Sequence, residues 1–420
     1  MLKRLTSWIL IMMLMTRALA QPCSLAGRLL VDETGRVLNR GEAVFTLVEG
    51  ALYAVGRPGD YALCDGEGRP LTNDHYEMLT AEGDAILCRQ GGLFGALDPS
   101  GGVLIDPIWK QLIRTGEGAF LALDSDPYDS QSDELIFVTA SGLRERTGSF
   151  TACGLRSFCD GCMAFMLSDG LYGYVDAMGR QVIPPDWSSA GDFSDGAAIV
   201  SDGAGMGLID THGRVLVTPD YAWMCRGDGM IAALTADGLM DIYSADGVEK
   251  LYTAEVLVNE AEVCGRYVAM KDADAARLID PSGVCLCVAS RAAVFYPGLD
   301  GQVIVADGDW GEACQYLINP DGTAASGRYQ RLLPLSGGRY AYMTIETNDL
   351  GWDYDSARWG LMDAKGRELL PAQYLEILPC GENRLSMQTE SDLILADLDG
   401  RPLASWPINE TAAPSSEAGA

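Results

Sequence analysis

"GLYGYVDAMGRQVIPPDW" spans Gly170 to Trp187. Gly173, Asp176 and Gly179 stand three residues apart, and Arg180, an apolar pair, two prolines and Trp187 follow. The Asp-x-x-Gly half reads as a hairpin corner. Asp at its first position accepts a hydrogen bond from the backbone two residues on. Gly at its fourth takes positive φ without a Cβ clash, as in a type I turn closed by a bulge. The whole phrase returns from Gly95 to Gly101, from Gly207 to Gly213 and from Gly360 to Gly366. The corner alone returns at Asp32, Asp65, Asp280 and Asp397, with Asn319, Thr139 and Ser244 as substitutes for Asp. That makes eleven units, most of them 33 to 37 residues apart. The clearest corners are Asp98 to Gly101, Asp176 to Gly179, Asp210 to Gly213 and Asp363 to Gly366.

Each corner is preceded by an apolar or aromatic residue, such as Leu97, Val175, Ile209 and Met362, so a strand enters it with one side chain turned to a core. Gly95, Gly173, Gly207 and Gly360 mark places where backbone passes close to a neighbour. Pro107, Pro185, Pro219 and Pro371 are expected to end the outgoing strand. The aromatics after them (Trp109, Trp187, Tyr221, Tyr374) are expected to wedge successive units together. The seventh unit divides into four short strands, 222–226, 230–235, 239–243 and 248–251, with glycine-containing turns between them. A four-stranded meander is a propeller blade. The fold class is therefore all-β: tandem short antiparallel meanders, β-propeller-like, as a closed ring, two rings or an open β superhelix. Closure of one ring would bring the strand near Leu393 to the one near Leu29.

The phrase resembles that of the WG-repeat (KWG-repeat) family: an aromatic-Gly pair, a strand ending in Asp, the corner, aliphatics, Pro and an aromatic. Tyr172-Gly173 through Trp187 and Trp359-Gly360 through Tyr374 carry the resemblance best, with Phe94-Gly95 and Met206-Gly207 next. Phe193-Ser194-Asp195-Gly196-Ala197 is similar to a second phrase of that family. The resemblance implies a repetitive β scaffold of bacterial exported type, with no shared catalytic residues.

The first residues are read apart from the fold. Lys3 and Arg4, an apolar run from Leu5 to Met15 and Ala18-Leu19-Ala20 form a secretory signal peptide over residues 1–20. The repeat region is then 21–407, and 408–420 reads as a disordered tail. No second apolar span follows, so the expectation is a secreted, extracytoplasmic chain without a membrane span after cleavage. A net charge of −29 excludes nucleic acid and anionic lipid as partners. Twelve cysteines in such a chain read as small buried apolar groups or local disulfides. Cys159-Asp160-Gly161-Cys162 has neither a second such pair nor a neighbouring His to make zinc chemistry.

Two gaps break the spacing, 41 residues from Gly101 to Gly142 and 44 from Gly322 to Gly366. Both surpluses fall in the turn before the strand that enters the corner. They read as loops over 123–134 and 347–360, and a smaller one surrounds 307–312. Insertions at one register emerge on one face of a repeat protein, often its binding face. The candidate binding residues are Asp124, Asp126, Tyr128 and Asp129, then Asp309 and Trp310, then Trp352, Asp353, Tyr354 and Asp355. Carboxylates with aromatics suit a protein or glycan partner at the cell envelope. No cofactor is expected beyond weak Ca²⁺ binding, because the acidic spacing lacks the Gly and distal Glu of an EF-hand. His75 and His212 are the only histidines and neither accompanies a nucleophile motif, so the chain is read as non-catalytic. The alternative is a carbohydrate-active enzyme that uses loop carboxylates on a propeller scaffold.

Overall fold

The computed structural model describes residues 23–408 except 26–28, 33–35, 117–118, 125–131, 140–143, 152–156, 255–257, 259, 309–313, 349–350 and 382. The expected signal peptide and all but the first residue of the expected tail lie outside the described residues. Every regular element among the described residues is a strand, and the strands form ten small antiparallel sheets of sequential neighbours. Six sheets are four-stranded meanders in chain order and one has seven strands. The fold is all-β, with propeller-type blades.

The corner explains the meander. All nine corner glycines among the described residues have φ between +72° and +89°. Each donates its N–H to the first corner residue's carbonyl at 2.8–3.0 Å. In the seven Asp corners among them, one carboxylate oxygen accepts the N–H groups two and four residues on, at 2.7–3.0 Å. The pairing shifts register beside the corner, between Leu208 and Ile209 for example, as a closing bulge requires. The Arg that leaves the corner pairs with the other carboxylate oxygen, at 2.8 Å from Arg69 to Asp65 and 2.6 Å from Arg214 to Asp210. These arginines are exposed, so solvent screening leaves each pair little weight in stability.

The same donors shift the corner carboxyls. At Asp210 burial pushes the pKa up, but the N–H and guanidinium of Arg214 and the N–H of His212 outweigh it, and the value falls below the ordinary 3.8. At Asp98 the Ser100 hydroxyl leads and the direction is again down. Asp65, Asp280 and Asp363 also sit low, their corner donors overcoming burial. The unfolded chain therefore binds more protons across this range. The stability these groups contribute is complete above their unfolded value and is lost as pH falls through the folded ones. Urea melts should show a midpoint that declines below about pH 4. Asp210→Asn should weaken that decline and cost about 1 kcal/mol at neutral pH.

Glycine and proline act as a pair. A Cβ on Gly173 would lie 2.6 Å from the Ile183 carbonyl oxygen and 2.9 Å from the Pro185 nitrogen. One on Gly207 would lie 2.5 Å from the Val217 oxygen and 2.8 Å from the Pro219 nitrogen, and Gly95 meets Ile105 and Pro107 likewise. The outgoing strand bulges at its proline onto the glycine of the incoming one. At Gly360 the Tyr342 ring fills that place instead. The prolines do not end their strands, contrary to the expectation. Val103–Trp109, Gln181–Trp187, Val215–Tyr221 and Glu368–Tyr374 run through them to the aromatic. These strands are the outermost of their sheets, where a missing N–H breaks no ladder bond. The aromatic then pairs with the residue before the glycine, Tyr221 with Met206 and Tyr374 with Trp359.

Burial follows position within the meander. The middle strands are buried along most of their length, as in Met230–Leu234 and Met240–Ser244. The outermost strand alternates, as in Val215–Tyr221. Middle strands are covered by a sheet on each face, whereas the edge strand is half wet.

The chain divides into two compact units, residues 108–332 and residues 1–107 with 333–420. In the first, six repeats stack in chain order through shared cores. Leu121 and Phe137 meet Met163 and Phe165, Tyr174 meets Phe193, and Tyr221 meets Met224 and Ile231. Met240 then meets Val268, and Leu278 meets Phe295. Trp187 and Tyr221 sit at such junctions, as wedges between repeats. The seven-stranded sheet is two of these repeats joined by a single residue pair, Thr151 with Met166. Ten sheets among the described residues therefore span the eleven units of the sequence.

In the second unit the C-terminal sheets stack onto the N-terminal ones. Leu361 and Tyr374 pack with Leu385 and Met387, Leu393 and Leu395 pack with Leu29 and Val31, and Leu30 packs with Tyr53. The last sheet shares a core with the first, and among the described residues no strand of one pairs with a strand of the other. Arg384 adds a 3.2 Å hydrogen bond to the Asp32 carbonyl. Cys380, buried at this junction, is disulfide-bonded. Nine other cysteines are thiols outside any disulfide. Four of them, Cys64, Cys88, Cys162 and Cys264, are buried in cores. Cys159 and Cys162 flank a two-residue turn with positive φ at Asp160 and Gly161, and exchange both backbone hydrogen bonds. Ser194 to Ala197 repeats that turn one unit later. The cysteine pair thus fills a corner between first and second strands, and both thiols are raised, mainly by burial.

Candidate functional site

The longest strands, Arg339–Asn348 and Gly351–Asp363, form one hairpin in the sheet before the last. The segment 347–360 is therefore mostly paired strand, not the loop its polar composition suggests. Thr347 pairs with Trp352 and Glu346 with Asp353, but the next pair is Thr344 with Arg358. Residues 354–357 thus stand opposite Ile345 alone, as a wide bulge.

Local bonds hold the bulge in shape. The Ser356 hydroxyl accepts the Glu346 N–H at 2.8 Å and donates to the Asp353 carbonyl at 2.6 Å. Arg358 donates to the Asp355 carbonyl at 3.0 Å and to a carboxylate oxygen of Glu390 at 3.2 Å. The Asp355 N–H donates to the Asp353 carboxylate at 3.2 Å. Trp352 and Tyr354, two apart along the strand, fall on one face. Their rings meet edge to face at 6.3 Å and 74°. Tyr354 is 70% exposed, the most exposed aromatic among the described residues. Asp355 is exposed and Asp353 half-buried beside them. An aromatic pair on a fixed frame, bordered by carboxylates, offers a stacking surface for a sugar ring or a face for a cationic side chain.

The other candidate residues belong to the other unit. Asp124 is exposed just past the strand Ala119–Leu123, while Asp126, Tyr128 and Asp129 lie outside the described residues. Asp309 and Trp310 also lie outside them, between the strands Val303–Asp307 and Cys314–Ile318. All three insertions occupy the same connection, from second to third strand of a meander. The geometry joins Trp352 to Tyr354, with Asp353 and Asp355 beside them, and of the remaining candidates only Asp124 is among the described residues.

His75 pairs with Asp60 at 2.9 Å at the surface, and His212 sits in its corner 3.4 Å from the Thr211 hydroxyl. Among the described residues no group of three or more His, Cys, Asp and Glu side chains is placed to hold a metal. Also among them, no helix is long and apolar enough to cross a membrane.

One buried carboxylate escapes a reading by sequence. Asp241 lies inside the strand Met240–Ser244 and is not itself a corner residue. One of its oxygens accepts the Tyr221 hydroxyl at 2.7 Å and the Lys250 ammonium at 2.8 Å. The other accepts the Thr253 hydroxyl at 2.6 Å. Burial pushes its pKa up, but Lys250, Thr253 and Tyr221 outweigh it and hold the carboxyl low. Tyr221, buried against Tyr243 and Asp241, is driven up. Both carboxylate oxygens are satisfied, so this network ties the edge strand to the sheet.

The family profile described as "WG containing repeat" matches residues 172–203, which include the corner Asp176–Gly179 and the glycine–proline contact at Gly173. Among curated proteins none matches the chain. Among solved structures, the computationally designed Ika8 protein is 12% identical and aligns with a TM-score of 0.32, over 67% of this chain and 93% of its own. BamB from Moraxella catarrhalis is 13% identical at 0.29, over 68% and 88%. Hsv2 from Kluyveromyces lactis with its complete loop 6CD is 12% identical at 0.33, over 59% and 96%. Scores this low leave the fold resting on the sheets themselves. The chain carries a WG-type repeat over residues 172–203, within a longer series of units built on the same corner.

Proposed function

We propose that the chain is an exported, non-catalytic β-repeat scaffold that holds a protein or glycan partner at the cell envelope, gripping it with the Trp352–Tyr354 hairpin. The aromatic pair of exposed Tyr354 and half-buried Trp352 carries this reading. A stacked series of meanders provides a rigid frame, and an insertion on one connection provides the contact surface. The bonds of Ser356 and Arg358 hold the bulge before any partner arrives, so little ordering entropy is lost on binding. The carboxylates beside the rings favour a partner with hydroxyl or cationic groups.

A glycan panel read by melting temperature, alongside a pull-down from envelope extract, tests this. Trp352→Ala and Tyr354→Ala should each weaken the captured partner or glycan at least about tenfold, as loss of an interfacial aromatic does. Their melting temperatures should match that of the parent, because the shared core of this sheet draws on Ala341, Trp359 and Leu361 of the hairpin and not on these two side chains. Unchanged capture by the double variant would remove the proposal.

A further inference from the structure

The same sheet carries a second feature at its opposite end. The turn from first to second strand and the corner from third to fourth lie together there, away from the hairpin tip. Between them is a cleft of about 470 Å³ lined by Gly338, Arg339, Asp363, Ala364, Lys365 and Arg367. That volume is within the range of small-molecule sites. We infer that this cleft binds a small ligand through an oxyanion group, a carboxylate or a phosphate.

Three cations border one cleft in a chain of net charge −29. Two are positioned by their own partners. Arg339 donates to Asp399 at 2.8 Å and to the Gly337 carbonyl at 3.1 Å. Arg367 binds Asp363 at 3.1 Å. These bonds fix where the guanidiniums stand. They do not saturate Arg339, whose Nε–H is buried without an acceptor among the described residues. A buried donor left unanswered is rare, and it leaves the hydrogen-bonding capacity of this guanidinium incomplete.

Lys365 differs from both. Its backbone N–H donates to Asp363 at 2.9 Å, which fixes its place in the corner. Its ammonium has no carboxylate within ion-pair distance among the described residues. It occupies the third corner position, which is variable along the chain. That position holds Glu67, Asp246, Asp321 or Asp399 in other units, and Ser, Thr, Met or His in the rest. A lysine there occurs in this unit alone. The corner does not need it, since its geometry is made by Asp363 and Gly366. Its charge therefore faces the cleft free for a ligand anion, with Arg339 and Arg367 as the walls.

This inference is independent of the hairpin. It is tested by calorimetric titration of the mature chain with glucuronate, glucose 1-phosphate and glucose. At least one of the two acids should bind, more weakly as salt rises, and glucose should not. The acid that binds tells carboxylate from phosphate. Lys365→Gln should weaken it at least about tenfold with an unchanged melting temperature, and Lys365→Arg should restore most of it. Trp352→Ala should leave it unaltered, which separates this site from the hairpin. Failure of both acids at about 10 mM, equal binding of glucose, or full affinity in Lys365→Gln each overturns the inference.

Discussion

Gly207→Val is expected to lower stability by about 3 kcal/mol or more, with a correspondingly earlier urea midpoint. The reason is a backbone contact that nothing soft relieves. The new Cβ would stand 2.5 Å from the Val217 carbonyl oxygen and 2.8 Å from the Pro219 nitrogen, both in the bulged outgoing strand. To make room the strand must leave its partner. It would then withdraw Tyr221 from the core it shares with Met224 and Ile231 in the next sheet, and from its bond to Asp241. Damage would thus pass from one repeat to its neighbour. Gly229→Ala supplies the comparison. Gly229 has φ of +75° and open space around its missing Cβ, so only the conformational cost of about 1 kcal/mol applies. Equal losses in the two variants would show that the glycine–proline contact is not tight.

Cys380→Ser is expected to cost about 2–5 kcal/mol, the usual loss for a native disulfide. In a unit of this size that is about 6–15 °C of melting temperature. The residue lies where the last sheet covers the first, packed with Leu29, Val31, Leu393 and Leu395. One end of the disulfide is thus buried within that junction, beside its apolar contacts. Reductant should lower the melting temperature of the parent by a similar amount and leave the variant alone. The nine thiols outside disulfides serve as an internal control, since reductant has nothing to break at them. A reductant-insensitive parent would contradict the assignment.

The corner was legible because its chemistry is local. Positive φ at the fourth residue and a carboxylate reaching back to two N–H groups are demands that four or five consecutive residues meet alone. Gly207 could be read as a close approach, but not its counterpart. The bulge at Pro219 is twelve residues on, and a proline in isolation reads as a strand end. The aromatics after the prolines were readable as wedges because their position repeats. The segment 347–360 reads as loop because it is rich in Asp, Asn, Gly and Ser. Its strand character comes from pairing with Arg339–Asn348, which no pattern inside it reveals. The junction of two repeats by Thr151 and Met166 rests on one residue pair, too little for a pattern. Asp241 and the Arg339–Lys365–Arg367 cleft draw on residues scattered along the chain, so only the folded meander brings them together.

The account stands on repeats that bury the face of one sheet against the next, the last against the first included. A double-mutant cycle on Leu29→Ala and Leu395→Ala measures this where chain separation is greatest. Both side chains are fully buried in one cluster. The account predicts a coupling of about 1 kcal/mol or more between them, because each mutation opens space that the other residue lines. Strictly additive losses would mean that the two sheets do not share a core.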